Sequence, residues 1–317
     1  MCRRGLGNVV GEIKLGIIGI SEGNGHPFSF SAIINGFNNE AMKNSGWSVI
    51  YNYLIKRHES EFGFHNVKVT HAWTQDPRQT QMLTEASRIP NGVQNVDDML
   101  KEVDGVIIAR DDHQSHMLYA KTFLESGKFV FIDKPLSLDP AELRFFRSFL
   151  ESGRLMSCAG ARYAQELDDI RANIGEFGEL KLVRGTVVNS IEKYGIHMLD
   201  GIFSVTGFNV KSVFCLQAKH MSLRIRNHDS SLIYIDALGA SAKTLQFDFW
   251  SDEKRFHAET DDNFTMFRRL LADFVKMIRT EKPPIPPQLV VDTMRVLIAA
   301  KTSVTENREV GLDEIAV

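Results

Sequence analysis

The sequence predicts an α/β fold in two domains: a parallel sheet with helices on both faces, then an α+β domain around an open, mostly antiparallel sheet. Three observations predict it. Between residues 13 and 160, short apolar runs alternate with stretches of helical periodicity, as expected of strand–helix units whose strands are buried on both faces. After residue 160 the rhythm changes to strands in succession and then two long helices, which suits an α+β layer. The chain has 317 residues, 43% of them apolar and 24% charged, enough for two domains with cores of their own.

In the first domain, 1–160, IKLGIIGI (13–20) is a buried strand that breaks at Ser21. A glycine-bearing loop, SEGNG, leads to a helix from Pro27 to about Phe37, because proline's missing N–H costs nothing in the first turn. VKVTHAW (67–73) is a second strand, followed by a helix over about 78–88 and a short helix at VDDMLKE. DGVIIAR (104–110) and KFVFID (128–133) are further strands, separated by a helix over 113–127 that Gly127 closes. Asp139 and Pro140 open a helix over 139–153 as cap and first residue, and LMSCAG (155–160) is a last short strand.

In the second domain, 161–317, strands are expected at 178–190, 210–220, 230–239 and 242–250. Helices are expected at 194–207, 262–279 and 288–305, the last two split by EKPPIPP. Residues 38–66 form an insertion between the first two strand units, with apolar residues that suggest a helix, a lid or an interface.

A parallel sheet binds ligands beyond the carboxyl ends of its strands. That places 19–25, 74–78, 109–113 and 133–135 on one rim, and makes Gly19, Ser21, Gly23, Asn24, Gly25, Thr74, Gln75, Arg78, Ala109, Arg110, Asp133 and Lys134 candidate contacts for a dinucleotide. Glycines let a backbone approach a pyrophosphate at a helix start. Here Ser21 occupies the second glycine position of the usual spacing, so the loop alone reads equally as a glycine-rich turn. At the second strand's end, Thr74 suits a hydroxyl or a phosphate, and Arg78 suits a 2′-phosphate, so NAD and NADP both stay open. Asp76-Pro77 also reads as a plain helix cap.

Net charge is −3, which points away from nucleic acid and membrane surfaces as partners. No apolar run approaches a membrane span. Cys2, Cys158 and Cys215 are widely spaced and form neither a disulfide framework nor a metal-binding pattern, so no metal is expected. The opening MCRRGLGNVVGEIK has no apolar core of a secretion signal, and a cytoplasmic protein is the expectation.

The segment DGVIIARDDHQSHMLYAKTFLESGKFVFIDKPLSLDPAEL resembles the glucose–fructose oxidoreductase / inositol dehydrogenase / MocA (Gfo/Idh/MocA) family. The family's Glu-Lys-Pro stands here as Asp133-Lys134-Pro135, and its P-x-x-x-H stretch as Asp112 to His116 without the proline. GARYAQELDDIRANI resembles the domain crossover, with Arg162-Tyr163 in place of Arg-Phe/Tyr, and YGIHMLDGIFSVTG resembles the G-x-H-x-x-D helix. The resemblance implies a Rossmann domain with bound NAD or NADP, and a second domain whose open sheet makes a homodimer or homotetramer. It implies catalytic Lys134 and His197 flanking the reacting carbon of a sugar or polyol. It leaves Arg162 either a cofactor contact or the partner of an acid.

One departure is Lys193, where the family commonly has an Asp four residues before the histidine. Lys193, His197 and Asp200 are spaced to share a helix face, so Lys193 and Asp200 join the expected substrate contacts. Three functions are weighed: a dehydrogenase acting on a sugar, polyol or nucleotide-linked sugar; a glycoside hydrolase using transient oxidation; and a non-catalytic cofactor-sensing protein.

Overall fold

The computed structural model describes residues 11–317. The opening segment and Cys2 lie outside the described residues. Six strands form the first sheet: β1 (Ile13–Ile18), β2 (Val67–Trp73), β3 (Asn91–Gly92), β4 (Gly105–Ile108), β5 (Phe129–Ile132) and β6 (Leu155–Ser157). Their order is β3-β2-β1-β4-β5-β6, and every pairing is parallel. Strands β4 and β5 are buried at every residue, which explains their unbroken apolar sequences. The order reverses between β1 and β4, so the crevice for a ligand opens beyond those two strand ends.

Helix α1 (His26–Asn35) follows β1. The insertion then makes two short helices, α2 (Asn39–Lys43) and α3 (Ser48–Leu54), rather than one. Helices α4 (Pro77–Ala86), α5 (His116–Glu125) and α6 (Pro140–Glu151) complete the layer. Asp76 caps α4 and Asp139 caps α6, each with proline next in line, as those sequences predict.

Beyond α7 (Asp168–Asn173), the second sheet is built from β7 (Leu180–Val187), β8 (Val210–Gln217), β9 (Met221–Asn227), β10 (Leu232–Ala237), β11 (Leu245–Ser251), β12 (Arg255–Glu259) and β13 (Val310–Gly311). The order is β12-β11-β7-β10-β9-β8-β13, antiparallel except for β7 with β10. Strands β9 and β12 escape the sequence reading because MSLRIRN and RFHAE lack the apolar runs of the other strands, although both alternate apolar and polar residues as half-buried strands do. Helix α8 (Ile191–Thr206) lies on the inner face against β7, β9, β10 and β11. It begins three residues before the expected start, with the Ser190 hydroxyl accepting the Lys193 amide at 3.3 Å. Helices α9 (Asn263–Thr280) and α10 (Pro287–Glu306) close the fold. Among the described residues, no helix is long and apolar enough to cross a membrane.

The insertion fastens the two parts together. Arg57 pairs with Asp262, and its guanidinium lies 4.9 Å from the Phe264 ring centroid. Phe62 packs edge-on against Phe264 at 5.1 Å, and Arg268 donates to the Glu61 carbonyl at 2.6 Å. On the other side, Trp47 and Ile50 press on the glycine loop, so that a Cβ at Gly25 would stand 2.6 Å from both. Only glycine fits there.

Candidate active site

Three strand ends are tied together at the crevice. The Ile20 amide donates to Gln75 Oε1 at 3.0 Å, and Gln75 Nε2 returns a bond to the Ile20 carbonyl at 2.6 Å. Arg110 Nη1 reaches the same carbonyl at 2.9 Å and Gln75 Oε1 at 3.1 Å. Ser21 Oγ donates to Asp111 Oδ1 at 2.5 Å. Ala109 is buried, with its amide bonded to the Ile18 carbonyl. Ser21, Gln75, Ala109 and Arg110 therefore hold the loop to the sheet.

The other half of the loop meets the end of β5. Asp133, 2% exposed, accepts bonds from Asn24 Nδ2 at 3.0 Å, from His26 Nδ1 at 2.5 Å and, through Oδ1, from the Lys134 amide at 2.9 Å. Burial alone would raise its pKa. The nearby His26 and Lys134 charges, with the bonds from His26 and Asn24, outweigh that and hold it well below the ordinary carboxylate range. Lys134 is 4% exposed, and its Nζ stands 3.5 Å from Asp111 Oδ2 and 6.0 Å from the Tyr194 ring centroid.

Helix α8 supplies the facing wall. Tyr194 and His197 lie one turn apart with ring centroids at 5.2 Å. His197 is half-buried, and burial, then the Lys134 and His26 charges, hold its pKa well below the usual imidazole value. Lys134 and His197 line one cavity of about 320 Å³ together with Gly23, Asn24, Gly25, His26, Asp111, Tyr194, Lys243, Asn263 and Phe267. This volume is at the lower end of the roughly 300–1,000 Å³ of small-molecule sites.

The remaining candidates are more scattered. Lys193 is exposed and outside this lining, and Asp200, also outside it, is buried and accepts the Ala159 amide at 2.6 Å. Of Lys193, His197 and Asp200, only His197 lines the cavity. Burial pushes Asp200 up to about 6, against the pull of Arg162 and the Ala159 bond. Arg162 Nη1 is buried with no partner among the described residues. Thr74 Oγ1 is bonded to the Asp76 carbonyl at 2.7 Å. Thr74 and Gln75 line a groove of about 730 Å³ beyond β2 and β3, which contains no carboxylate; Arg78 lies outside it, exposed. His116, fully buried, is bonded at both ring nitrogens to the Leu136 and Arg110 carbonyls, 2.9 Å each, which ties two loops and faces no ligand.

Sequence reasoning did not single out Asp111, although it lies on the 109–113 rim, nor Tyr194, Lys243, Asn263 and Phe267. Asp111 and Tyr194 stand beside recognised motifs and could have been found there. Lys243 and Phe267 reach the cavity only through the packing of the second domain.

A dinucleotide fits this arrangement. Gly23 takes a φ of +75°, which glycine favours, and nothing lies within 4 Å of where its Cβ would stand. The loop's outermost backbone is therefore open to close approach. The start of α1 offers less than expected, because the His26 amide is taken by Asn24 Oδ1 at 2.9 Å and Pro27 has no amide.

The fold and crevice define a Rossmann-type nucleotide-binding protein with a second, open-sheet domain. Residues 13–152 match the profile of an oxidoreductase family with an NAD-binding Rossmann fold, Gfo/Idh/MocA. A relative from Amycolatopsis mediterranei strain S699, named as the oxidoreductase subunit of UDP-kanosamine synthase, is 30% identical over 130 residues, 41% of this chain. The match spans 35% of that relative's length. Two solved structures share the fold along nearly the whole chain. Apo scyllo-inositol dehydrogenase from Lactobacillus casei has a TM-score of 0.76 at 12% identity, covering 96% of this chain and 99% of its own. Myo-inositol dehydrogenase from Corynebacterium glutamicum has 0.71 at 14%, covering 95% and 99%.

Proposed function

We propose that the protein is an NAD(P)-dependent oxidoreductase that interconverts a secondary alcohol and a ketone on a sugar, polyol or nucleotide-linked sugar. The observation that carries this reading is the meeting of Lys134 and His197 in one cavity beside the open backbone of Gly23. A bound nicotinamide would accept or return the hydride. The loop at Gly19, Ser21, Gly23, Asn24 and Gly25 would hold its phosphates, and the groove at Thr74 and Gln75 its adenosine end, with Arg78 nearby for a 2′-phosphate.

Lys134 brings a charged donor to the substrate oxygen, where it stabilises developing alkoxide charge. Its ion pair with Asp111 and its burial fix where that charge stands. His197 offers a second hydrogen-bonding group from the opposite wall. Substrate-binding roles follow for Lys134 and His197, while Lys193 and Asp200 stand away from the cavity and act at most indirectly. Arg162 neighbours Asp200 and is no part of the cavity lining. The open outer face of the second sheet would pair with a second copy to give a homodimer or homotetramer.

The test is a thermal-shift titration with NAD, NADP and their reduced forms, followed by nicotinamide reduction with a panel of cyclitols, hexoses and UDP-sugars. A ligand that binds only the native state at 100 times its Kd adds about 2.7 kcal/mol of stability. Absence of any shift with all four nucleotides would sink the reading.

A further inference from the structure

The cavity contains a second imidazole whose setting differs from that of His197. His26 is the first residue of α1, and its Nδ1 bonds Asp133 Oδ2 at 2.5 Å. Its ring is held by Phe30, stacked at 4.9 Å, and by Phe267, edge-on at 4.9 Å. The side chain is 19% exposed, and it lines the cavity. With Nδ1 committed to Asp133, Nε2 is the nitrogen left for a ligand, and it has no protein partner among the described residues.

We propose that His26, backed by Asp133, is the acid–base residue that exchanges a proton with the substrate hydroxyl, while His197 only hydrogen-bonds the same oxygen. This rests on the functional reading above and divides the chemistry of that site between its two imidazoles.

The argument is about where a proton's charge can reside. A proton on His197 would add a cation beside Lys134, in a shielded position where no carboxylate bonds the ring. A proton on His26 makes an imidazolium in direct contact with a buried carboxylate, and such charge-assisted bonds are roughly twice as strong as neutral ones. The other charged or titratable groups facing the cavity are Asp111, Lys134, Tyr194, His197 and Lys243. Asp111 is already engaged by Ser21 and Lys134. Lys243 sits exposed on the loop before β11. Neither displaces the Asp133 contact.

In alcohol oxidation the substrate O–H bond breaks as an N–H bond forms at Nε2 of His26. A bound oxidised nicotinamide would take the carbinol hydrogen with its electron pair, leaving the ketone. The proton then passes to water through the cavity mouth. In reduction His26 returns it.

His26→Gln and His197→Gln are compared with wild type, using the nucleotide that binds and scyllo-inositol, myo-inositol, glucose and UDP-glucose as probes. For His26→Gln, kcat should fall by about 100-fold or more, and the acidic limb of the pH–rate profile should vanish. Nucleotide affinity, read by nicotinamide fluorescence, should stay within about threefold. His197→Gln should keep the limb. A crystal structure of wild type with nucleotide and substrate should place His26 Nε2 within about 3.2 Å of the carbinol oxygen. The assignment is overturned if His26→Gln keeps the limb and its rate, if His197→Gln loses the limb instead, or if the oxygen lies beyond reach of His26. A wild type that binds nucleotide yet oxidises no probe overturns the functional reading, and this one with it.

Discussion

Lys134 and Asp133 show how a short motif becomes a charge arrangement. Asp-Lys-Pro after an apolar run was legible as a rim feature, but nothing in it names the partners. Asp111, His26 and Asn24 come from loops 20 or more residues distant in sequence. Replacing Lys134 by Met should lower kcat by about 100-fold or more while nucleotide affinity holds, measured by steady-state kinetics and fluorescence titration. An equal loss of affinity and rate would make Lys134 a binding residue only. Asp200 gives a prediction of opposite character. Its folded pKa is raised from 3.8 to about 6, so the folded state favours the protonated carboxyl. The stability this contributes is complete below pH 3.8 and is lost as pH rises through 6. Asp200→Asn should therefore stabilise the protein at pH 8 by about 1–3 kcal/mol. The gain should disappear toward pH 4, as read by denaturant melts at both values. A gain independent of pH would mean that ionisation of Asp200 is not the cause.

At the scale of elements, the insertion is the part whose role changed most between sequence and structure. Its apolar residues announced packing, not a partner. Trp47 and Ile50 support the glycine loop from one side, and Arg57 and Phe62 grip α9 from the other. Trp47→Ala should cost about 2–4 kcal/mol of stability and weaken nucleotide binding, since Gly25 would lose its support. Unchanged nucleotide affinity in a folded variant would confine Trp47 to packing. The helix caps were legible because Asp76-Pro77 and Asp139-Pro140 act within one turn. The start of α8 was not, because Ile191 to Lys193 carry no strong periodicity and Ser190 is one serine among many.

For the whole molecule, the proposed assembly rests on the outer face of the second sheet. Leu182, Tyr234 and Trp250 alternate with buried neighbours and stay partly exposed there, beside the Arg184–Asp236 pair at 3.1 Å. Helix α8 covers only the opposite face. Light scattering should show a dimer or tetramer, and Leu182→Arg with Trp250→Glu should release monomers, because charges in an apolar contact lose their hydration. A monomeric wild type would end this reading. By itself the sequence determined the two sheet types, the strand–helix alternation and most caps, since each follows from periodicity or chemistry within a few residues, and it offered Lys134 and His197 through the resemblance of their segments to a known family. Only the tertiary structure decided that Asp133 holds His26, that Lys193 faces solvent and that Lys243 and Phe267 reach the cavity. Those outcomes depend on contacts between segments far apart in the chain, and local sequence carries no record of which distant surface a side chain will meet.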